Sequence, residues 1–317
     1  MAKAIEQLRS GTTVGHAMLG LHRGAPGTVE RAVHDGDTIN VAAVGNLGVR
    51  FLGVDAPEVS FTLPARPDVF VPISDAAWTE FLVDPFAPGL PPLRLRSALK
   101  EHLLDRLDKT TAPNHARHAT ISTTALRTMV GDDVAAQGLT PETFRFRLSF
   151  AAEIIDRYGR LLCYVNREQR ETPRPPTYNE RLLAAGHAAP YFIWPNVNPF
   201  RRQAAHPAEA VPRPGGARAL AESDGALRNA REMVRAARQA GLGVWERADP
   251  LRLLPFELRY LAQRRAPERY VLDLSDEGRE LFHPQDYFRI PHPEDRLYVN
   301  AEHVGLFREK GWSVPAP

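Results

Sequence analysis

The segment between Asp37 and Asp55 constrains the fold of this chain more than any other. Residues 38–44 and 49–54 have the composition of two short β-strands, and the Gly-Asn-Leu-Gly sequence at 45–48 is typical of a turn. A hairpin about this turn would place Asp37 opposite Asp55 at its open end. Two facing carboxylates repel each other, so the arrangement predicts a bound cation.

The ligand types available to that cation favour a hard metal ion. Oxygen ligands without histidine or cysteine indicate Ca²⁺ or Mg²⁺ rather than zinc. The single cysteine, Cys163, excludes a disulfide within the chain and a thiolate cluster. We expect it to be a core thiol in a strand. His115 and His118 have no further ligand nearby in the sequence, which favours a surface loop over a metal site.

Two more charged residues, Arg50 and Glu58, lie on the same stretch and suggest phosphodiester cleavage. A metal ion polarises a phosphoryl oxygen, a carboxylate orients or deprotonates water, and arginines clamp the phosphate. Arg160, in a tight turn between two predicted strands, is the best candidate for a second arginine. In a regular strand Arg50 and Asp55 point to opposite faces, and a bulge at Gly53 would correct this. The alternative is a buried ion-pair network, which explains the excess of carboxylates less well.

Four motifs together resemble the staphylococcal nuclease family. The first is DGDTINVAAVGNLGVRFLGVDAPE at 35–58, and DRYGRLLCYV at 156–165 is similar to the family's second signature. NERLLAAGHAAPYF at 179–192 and the helix predicted at 226–240, followed by GLGVW, resemble the later motifs in the same order. The resemblance implies a β-rich α+β fold: an OB-type five-stranded barrel with about three helices, suited to gripping a single nucleic-acid strand.

The resemblance also implies which residues hold the metal ion and which act on the substrate. Asp37, Asp55 and the backbone carbonyl of Ala56 would bind Ca²⁺, with Asp35 beside the ion. Glu58 would act on the attacking water, as base or as orienting group. Arg50 and Arg160 would hold the phosphate. The remaining expected contacts to the nucleotide are made by Arg157 and Tyr158, near the 5′ phosphate, and by Tyr191, Phe192 or Trp194, stacked on a base or sugar.

The expected organisation has a lead-in at 1–26, a nuclease domain at 27–246 and an extension of unknown role at 247–317. An insertion at about 59–140 lengthens the domain, and its proline-rich part, 59–96, is typical of a surface excursion. We expect the insertion to form a lobe beside the cleft and the extension to be dispensable for chemistry. The other predicted elements are helices at 97–109, 178–185 and 255–264 and strands at 27–33, 144–155, 161–165, 270–274 and 297–300.

Side chains in the last part of the chain allow two interpretations each. Arginines at 228, 231, 235 and 238 form a stripe on the predicted helix 226–240, for which a solvated face is favoured over a DNA track. The aromatic residues of the extension are expected to form a small core rather than a stacking platform: Tyr270, Phe282, Tyr287, Phe288 and Tyr298.

The sequence therefore predicts a Ca²⁺-dependent nuclease acting on DNA or RNA, with single strands favoured. A net charge of +2 excludes a uniformly basic mode of binding. The alternatives are an inactive module that binds nucleic acid or peptides, and a nuclease restrained by its insertion or by a protein partner or inhibitor. An enzyme is favoured because the sequence contains both arginines, the glutamate and the aspartate pair of the family's active site. We expect a cytoplasmic protein, because neither a signal peptide nor a membrane span is evident, although a chain lacking its signal sequence would look the same.

Overall fold

The structure is a computed structural model, and it describes residues 3–8, 10, 13–22, 25–26, 28–29, 33, 39–156, 158–200, 204 and 206–316. The chain has a mixed α+β fold, as its sequence predicts, and divides into two compact units. The first unit comprises Met1–Phe51 and Phe150–Cys163. The second comprises Leu52–Ser149 and Tyr164–Pro317.

Short strands make up the first unit. They are β1 (Ile5–Gln7), β2 (Thr13–Gly15), β3 (Ala17–Leu19), β4 (Leu21–His22), β5 (Ala25–Pro26), β6 (Val41–Ala43) and β7 (Val49–Phe51). Strand β11 (Phe146–Ile155) begins in the second unit and ends in the first. Strand β12 (Leu161–Arg167) begins in the first unit and ends in the second. Their sequence predictions are confirmed. Antiparallel pairs form between β1 and β2, β3 and β6, and β4 and β5, whereas β7 pairs in parallel with β12.

The hairpin predicted about residues 45–48 is wrong in the part that the structure describes. Val41 of β6 pairs with Leu19, and Val49 of β7 pairs with Leu161. Strands of three residues contribute few hydrogen bonds to each other, so other strands decide how they pair. Asp37 and most of the strand predicted at 27–33 lie outside the described residues.

The second unit contains the long helices and a four-stranded sheet. Its strands are β8 (Gly53–Asp55), β9 (Ser60–Leu63), β10 (Arg66–Pro72), β13 (Ala189–Trp194), β14 (Tyr270–Asp273) and β15 (Arg296–Val299). Its α-helices are α1 (Ala76–Val83), α2 (Ser97–Leu104), α3 (Thr111–Ala136), α4 (Tyr178–Ala184), α5 (Pro207–Ala210), α6 (Ala217–Ser223), α7 (Gly225–Ala240), α8 (Pro255–Gln263) and α9 (Val304–Glu309). The sheet has the order β14-β15-β13-β8, and β13 is parallel to β15 and antiparallel to β8.

A closed five-stranded barrel is not seen in the described residues. Their strands form six small sheets of two to four strands, none of which closes on itself. Closure requires strands long enough to tilt and stagger about a common axis. Most strands here have four residues or fewer, so the OB-type barrel stays a prediction.

The proline-rich part of the insertion is not a surface excursion, so this prediction is wrong. Trp78 and Leu82 of α1 and Ile73 before it are fully buried. They share one apolar cluster with the C-terminal extension instead of forming a separate lobe. The most buried members from the extension are Leu253, Leu258, Leu261, Val271, Tyr287 and Ile290. The prolines separate short elements that pack into this core.

Helix α3, with 26 residues, has no counterpart among the predicted elements. Its buried face carries Asn114, His115, His118 and Ser122 beside small alanines. A helix whose buried face is polar has no regular apolar spacing, so its sequence conceals it. His115 and His118 are therefore buried in a helix, and the prediction of a surface loop is wrong.

Helix α7 is confirmed almost to the residue. The backbone N–H of Leu227 donates to Asp224 Oδ1 at 3.1 Å, which caps the start, and Gly241 ends the helix with a left-handed φ of 67°. The helices predicted at 178–185 and 255–264 are confirmed as α4 and α8, whereas α2 ends at Leu104, earlier than predicted.

The arginine stripe of α7 binds the C-terminal extension. Buried Arg231 donates from Nη2 to Asp295 Oδ1 at 2.6 Å, and Arg238 Nη2 lies 2.8 Å from Glu294 Oε1. The solvated face predicted for the whole stripe is therefore wrong for these two residues. Arg228 on the same helix is half exposed and fits that prediction.

The extension at 247–317 is part of the fold of the second unit. Its aromatic residues Tyr270, Tyr287 and Tyr298 are buried, which confirms a core role, and Tyr287 and Tyr298 join the large core rather than a small one. Deleting the extension would expose this apolar surface. That the extension is dispensable for chemistry stays a prediction. Cys163 is a buried strand thiol, as predicted, and burial raises its pKa to about 11. None of the helices in the described ranges has the length and apolarity needed to cross a membrane.

We expect Arg231→Met to lower the free energy of unfolding by about 3 to 5 kcal/mol, because Asp295 would be left as a buried, unpaired charge. Arg228→Met, on the exposed face of the same helix, is expected to cost about 0.5 kcal/mol or less. Urea unfolding of both variants measures the difference. Equal losses would show that the buried pair does not hold the extension to α7.

Candidate functional site

Asp55 and Glu58 meet at one guanidinium group of the C-terminal extension. Arg259 Nη1 donates to Asp55 Oδ1 at 2.9 Å and to Glu58 Oε1 at 2.6 Å, and its Nη2 donates to Asp55 Oδ2 at 2.9 Å. The pair with Asp55 is thus bidentate, which is the strongest geometry for a guanidinium and a carboxylate. All three residues belong to the second unit, although 204 positions separate Asp55 from Arg259.

The end of β8 positions the two carboxylates. Asp55 pairs with Ala189 of β13, and exposed Ala56 follows it directly. Gly53 begins the strand with a left-handed φ of 74°, and a Cβ there would lie 2.9 Å from the hydroxyl of Tyr164. A larger residue is therefore excluded at the position where the sequence predicts a bulge. The side-chain amide of Asn179, in α4, donates to the carbonyl of Leu52 at 2.8 Å and so links the residue before β8 to that helix.

Helix α8 carries Arg259 and packs its apolar side chains into the core. Phe256, Leu258 and Leu261 are buried in the core, and Glu257 caps the helix by accepting the N–H of Leu254 at 2.7 Å. Glu257 also accepts the hydroxyl of Tyr287 at 2.6 Å. These contacts fix the helix that carries the guanidinium.

The ion pair is largely removed from water. Asp55 has 1% of its side chain exposed, Arg259 has 19% and Glu58 has 23%. Burial acts to lower the pKa of Arg259, but the charges of Asp55 and Glu58 outweigh it and raise that pKa well above its usual value. Arg259 is therefore a fixed positive charge at the site.

His115 of α3 orients Glu58 through the backbone. The N–H of Glu58 donates to His115 Nε2 at 2.9 Å, so this nitrogen is unprotonated. Burial lowers the pKa of His115 to about 3, despite the opposing charge of Asp55. The insertion and the extension thus each contribute one residue to the surroundings of Glu58.

Arg50 and Arg160 lie on neighbouring strands of the first unit. In the parallel register of β7 and β12, Arg50 is opposite Leu162, and Arg160 immediately precedes β12. The Nε of Arg160 donates to Asp156 Oδ2 at 2.8 Å, and its guanidinium lies over the ring of half-exposed Tyr158. The structure therefore brings the backbones of the two predicted phosphate-binding arginines together.

Three predicted site residues lie outside the described part of the chain. These are the metal-site residues Asp35 and Asp37 and the substrate-binding residue Arg157.

The predicted stacking aromatics are core residues in this structure. Tyr191 stacks against Phe256, and Trp194 packs edge-on against Phe307. Phe192, between them on β13, has 2% of its surface exposed. All three side chains are buried in this arrangement, and their stacking on a base or sugar stays a prediction.

The described residues include ligand types that a metal ion accepts, but the carboxylate oxygens of Asp55 are already hydrogen-bonded. A carboxylate and a backbone carbonyl are ligands that Ca²⁺ accepts. However, both oxygens of Asp55 already accept hydrogen bonds from Arg259. Within the described ranges, neither Asp55 nor Glu58 belongs to a group of three or more His, Cys, Asp and Glu side chains close enough to hold one ion.

The sequence interpretation missed Arg259 and His115. An indication of Arg259 was present, because a charged residue between Leu258 and the apolar side chains at 260–262 requires an acidic partner once the helix is buried. Nothing in the sequence identified Asp55 as that partner.

Comparison with known proteins finds one curated relative. The chain is 26% identical over 274 residues to the protein named Endonuclease YhcR of Bacillus subtilis (strain 168). The aligned part is 86% of this chain and 15% of that protein, so the chain is similar to one segment of a much longer protein. No protein-family model matches the chain, and no solved structure matches it.

We expect His115 to make the fold less stable in acid. The unfolded chain takes up a proton at His115 near its ordinary pKa of 6.5, whereas the folded chain does so only near 3. The free energy of unfolding therefore falls as the pH drops below 6.5, by about 2 kcal/mol between pH 7 and pH 5 from this group.

His115→Gln keeps an acceptor for the Glu58 N–H and should remove this part of the pH dependence. Urea unfolding at pH 7 and pH 5 measures it. Exposed His292 supplies the matched control, since His292→Gln should leave the difference unchanged. The same pH dependence in all three proteins would contradict the assignment to His115.

Proposed function

We propose that the chain is a metal-dependent nuclease of the staphylococcal type, which hydrolyses phosphodiester bonds of DNA or RNA. The observation that carries the proposal is the meeting of Asp55 and Glu58 at one nitrogen of Arg259. These are the residues that the sequence motif assigns to the metal ion and to the attacking water. The similarity to a protein named an endonuclease supports the same activity.

In this proposal Asp37, Asp55 and the carbonyl of Ala56 hold a Ca²⁺ ion, with Asp35 beside it. The ion would polarise a phosphoryl oxygen when bound. Asp55 enters the site from the end of β8, and exposed Ala56 directly follows it. The ligand role of Asp37 and the position of Asp35 beside the ion rest on the sequence motif alone.

The other charged side chains act on the substrate. Glu58 orients or deprotonates the attacking water, and its backbone is held by His115. Arg50 and Arg160 donate hydrogen bonds to the phosphate and stabilise the charge of the transition state. Arg157 and Tyr158 contact the 5′ side of the nucleotide. A single strand of DNA or RNA is the favoured substrate, since the OB-type fold that the motifs imply is suited to gripping one strand.

The nuclease motifs all lie within residues 27–246, which we propose as the nuclease domain. Residues of the extension also contact the candidate site. The extension supplies Arg259 and part of the core. We therefore propose that the full chain is needed for activity.

We expect the purified chain to cleave single-stranded DNA or RNA with Ca²⁺ and not with EGTA. Arg50→Ala should reduce the rate by about 10²- to 10³-fold, because a donor to the phosphate is lost. Glu58→Gln should reduce it by about 10²- to 10⁴-fold, because the carboxylate charge is lost while the side-chain shape is kept. Gel analysis of labelled oligonucleotides measures these rates.

Arg228→Met serves as the control, since it removes one positive charge from a half-exposed position of α7. It should leave cleavage unchanged. Cleavage that persists with EGTA and in both site variants contradicts the proposed chemistry. Retained binding of the oligonucleotide without cleavage under any condition would instead indicate a binding module.

A further inference from the structure

We propose that Arg259 competes with the divalent cation for Asp55 and so sets the cation concentration at which the site is loaded. This inference rests on the proposed function, because it concerns the same carboxylate. It assigns a role to a residue of the C-terminal extension that lies outside the nuclease motifs.

The competition follows from the contacts of Asp55. The two guanidinium nitrogens of Arg259 contact one oxygen each, so the carboxylate is bound along its whole edge. A divalent ion bound directly to those oxygens would come into close contact with the guanidinium. Asp55 is 1% exposed, so water screens this repulsion poorly. Binding of the ion therefore requires the bidentate contact to open.

The surroundings allow that opening. Arg259 keeps 19% of its side chain exposed and Glu58 keeps 23%, so the guanidinium can move toward solvent without disturbing the core. Helix α8 itself is held by buried Phe256 and Leu258. The helix thus keeps the guanidinium tethered close to Asp55 in both arrangements.

Such a tethered competitor lowers the apparent affinity of the ion. Only the fraction of molecules in which Arg259 has left Asp55 can bind it, and the measured dissociation constant rises in proportion. A hydrogen-bonded contact between charged groups of this kind corresponds to roughly a tenfold to hundredfold change in an equilibrium constant. Removing the guanidinium should tighten binding by that factor.

The test is a calorimetric titration of the full chain with CaCl₂. We expect Arg259→Gln to bind Ca²⁺ roughly tenfold to hundredfold more tightly than the unmodified chain. Arg259→Lys keeps the charge but cannot contact both oxygens, so its affinity should lie between the two. Asp55→Asn, alone or with Arg259→Gln, should abolish binding.

Arg308→Gln is the matched control for charge. Arg308 is exposed on α9 of the same extension, so this variant removes one positive charge far along the chain from the site. It should leave the affinity unchanged. If Arg308→Gln binds Ca²⁺ as tightly as Arg259→Gln does, the change in affinity comes from the lower net charge of the chain, and the proposal is overturned.

A second measurement needs no variant, which matters if Arg259→Gln does not fold. Competition requires that the ion displace the Arg259 side chain from Asp55. The guanidinium N–H signals of Arg259 in NMR spectra of the unmodified chain should therefore shift and exchange faster with CaCl₂ than with EGTA. Unchanged signals, in a chain shown to bind Ca²⁺, would overturn the proposal.

The outcomes separate this proposal from the proposed function. If the unmodified chain and Arg259→Gln bind Ca²⁺ with equal affinity, the competition is contradicted and the proposed metal-dependent nuclease is not. Absence of Ca²⁺ binding in every folded variant, Arg259→Gln included, contradicts both.

Discussion

The ion pair between Arg259 and the carboxylates of Asp55 and Glu58 is the interaction on which the described site depends. A guanidinium held by an apolar helix requires an acidic partner, and a buried aspartate requires a cation. Each therefore fixes the other, although they come from distant parts of the sequence. The candidate site is consequently a property of the completed second unit, not of its motif alone.

The same principle joins the extension to α7. Arg231 and Arg238 are bound to Asp295 and Glu294, and the apolar side chains of the insertion and the extension form one core. Charged pairs specify which surfaces meet, and apolar burial supplies most of the free energy. The two segments that depart from the nuclease motifs thus stabilise the part of the chain that carries Asp55 and Glu58.

The sequence predicted features that depend on neighbouring residues. Helix α7 and strands β11 and β12 are such features, because their spacing and composition are local. It did not predict features decided by distant contacts. Strand β6 pairs with β3 rather than β7, and the polar buried face of α3 conceals that helix. For the candidate site, the motif identified Asp55 and Glu58, but only the folded chain shows that Arg259 and His115 contact them.

The separation of 204 residues between Asp55 and Arg259 has a consequence for biosynthesis. At a translation rate of about 5 to 20 residues per second, roughly 10 to 40 seconds pass between the emergence of the two residues from the ribosome. During that interval the nascent chain carries Asp55, Glu58 and the apolar side chains of the insertion without the helix that contacts them. Exposed apolar surface in such an incomplete chain favours aggregation until α8 is made. Slow decoding late in the message would therefore lengthen the period in which the protein is exposed to aggregation.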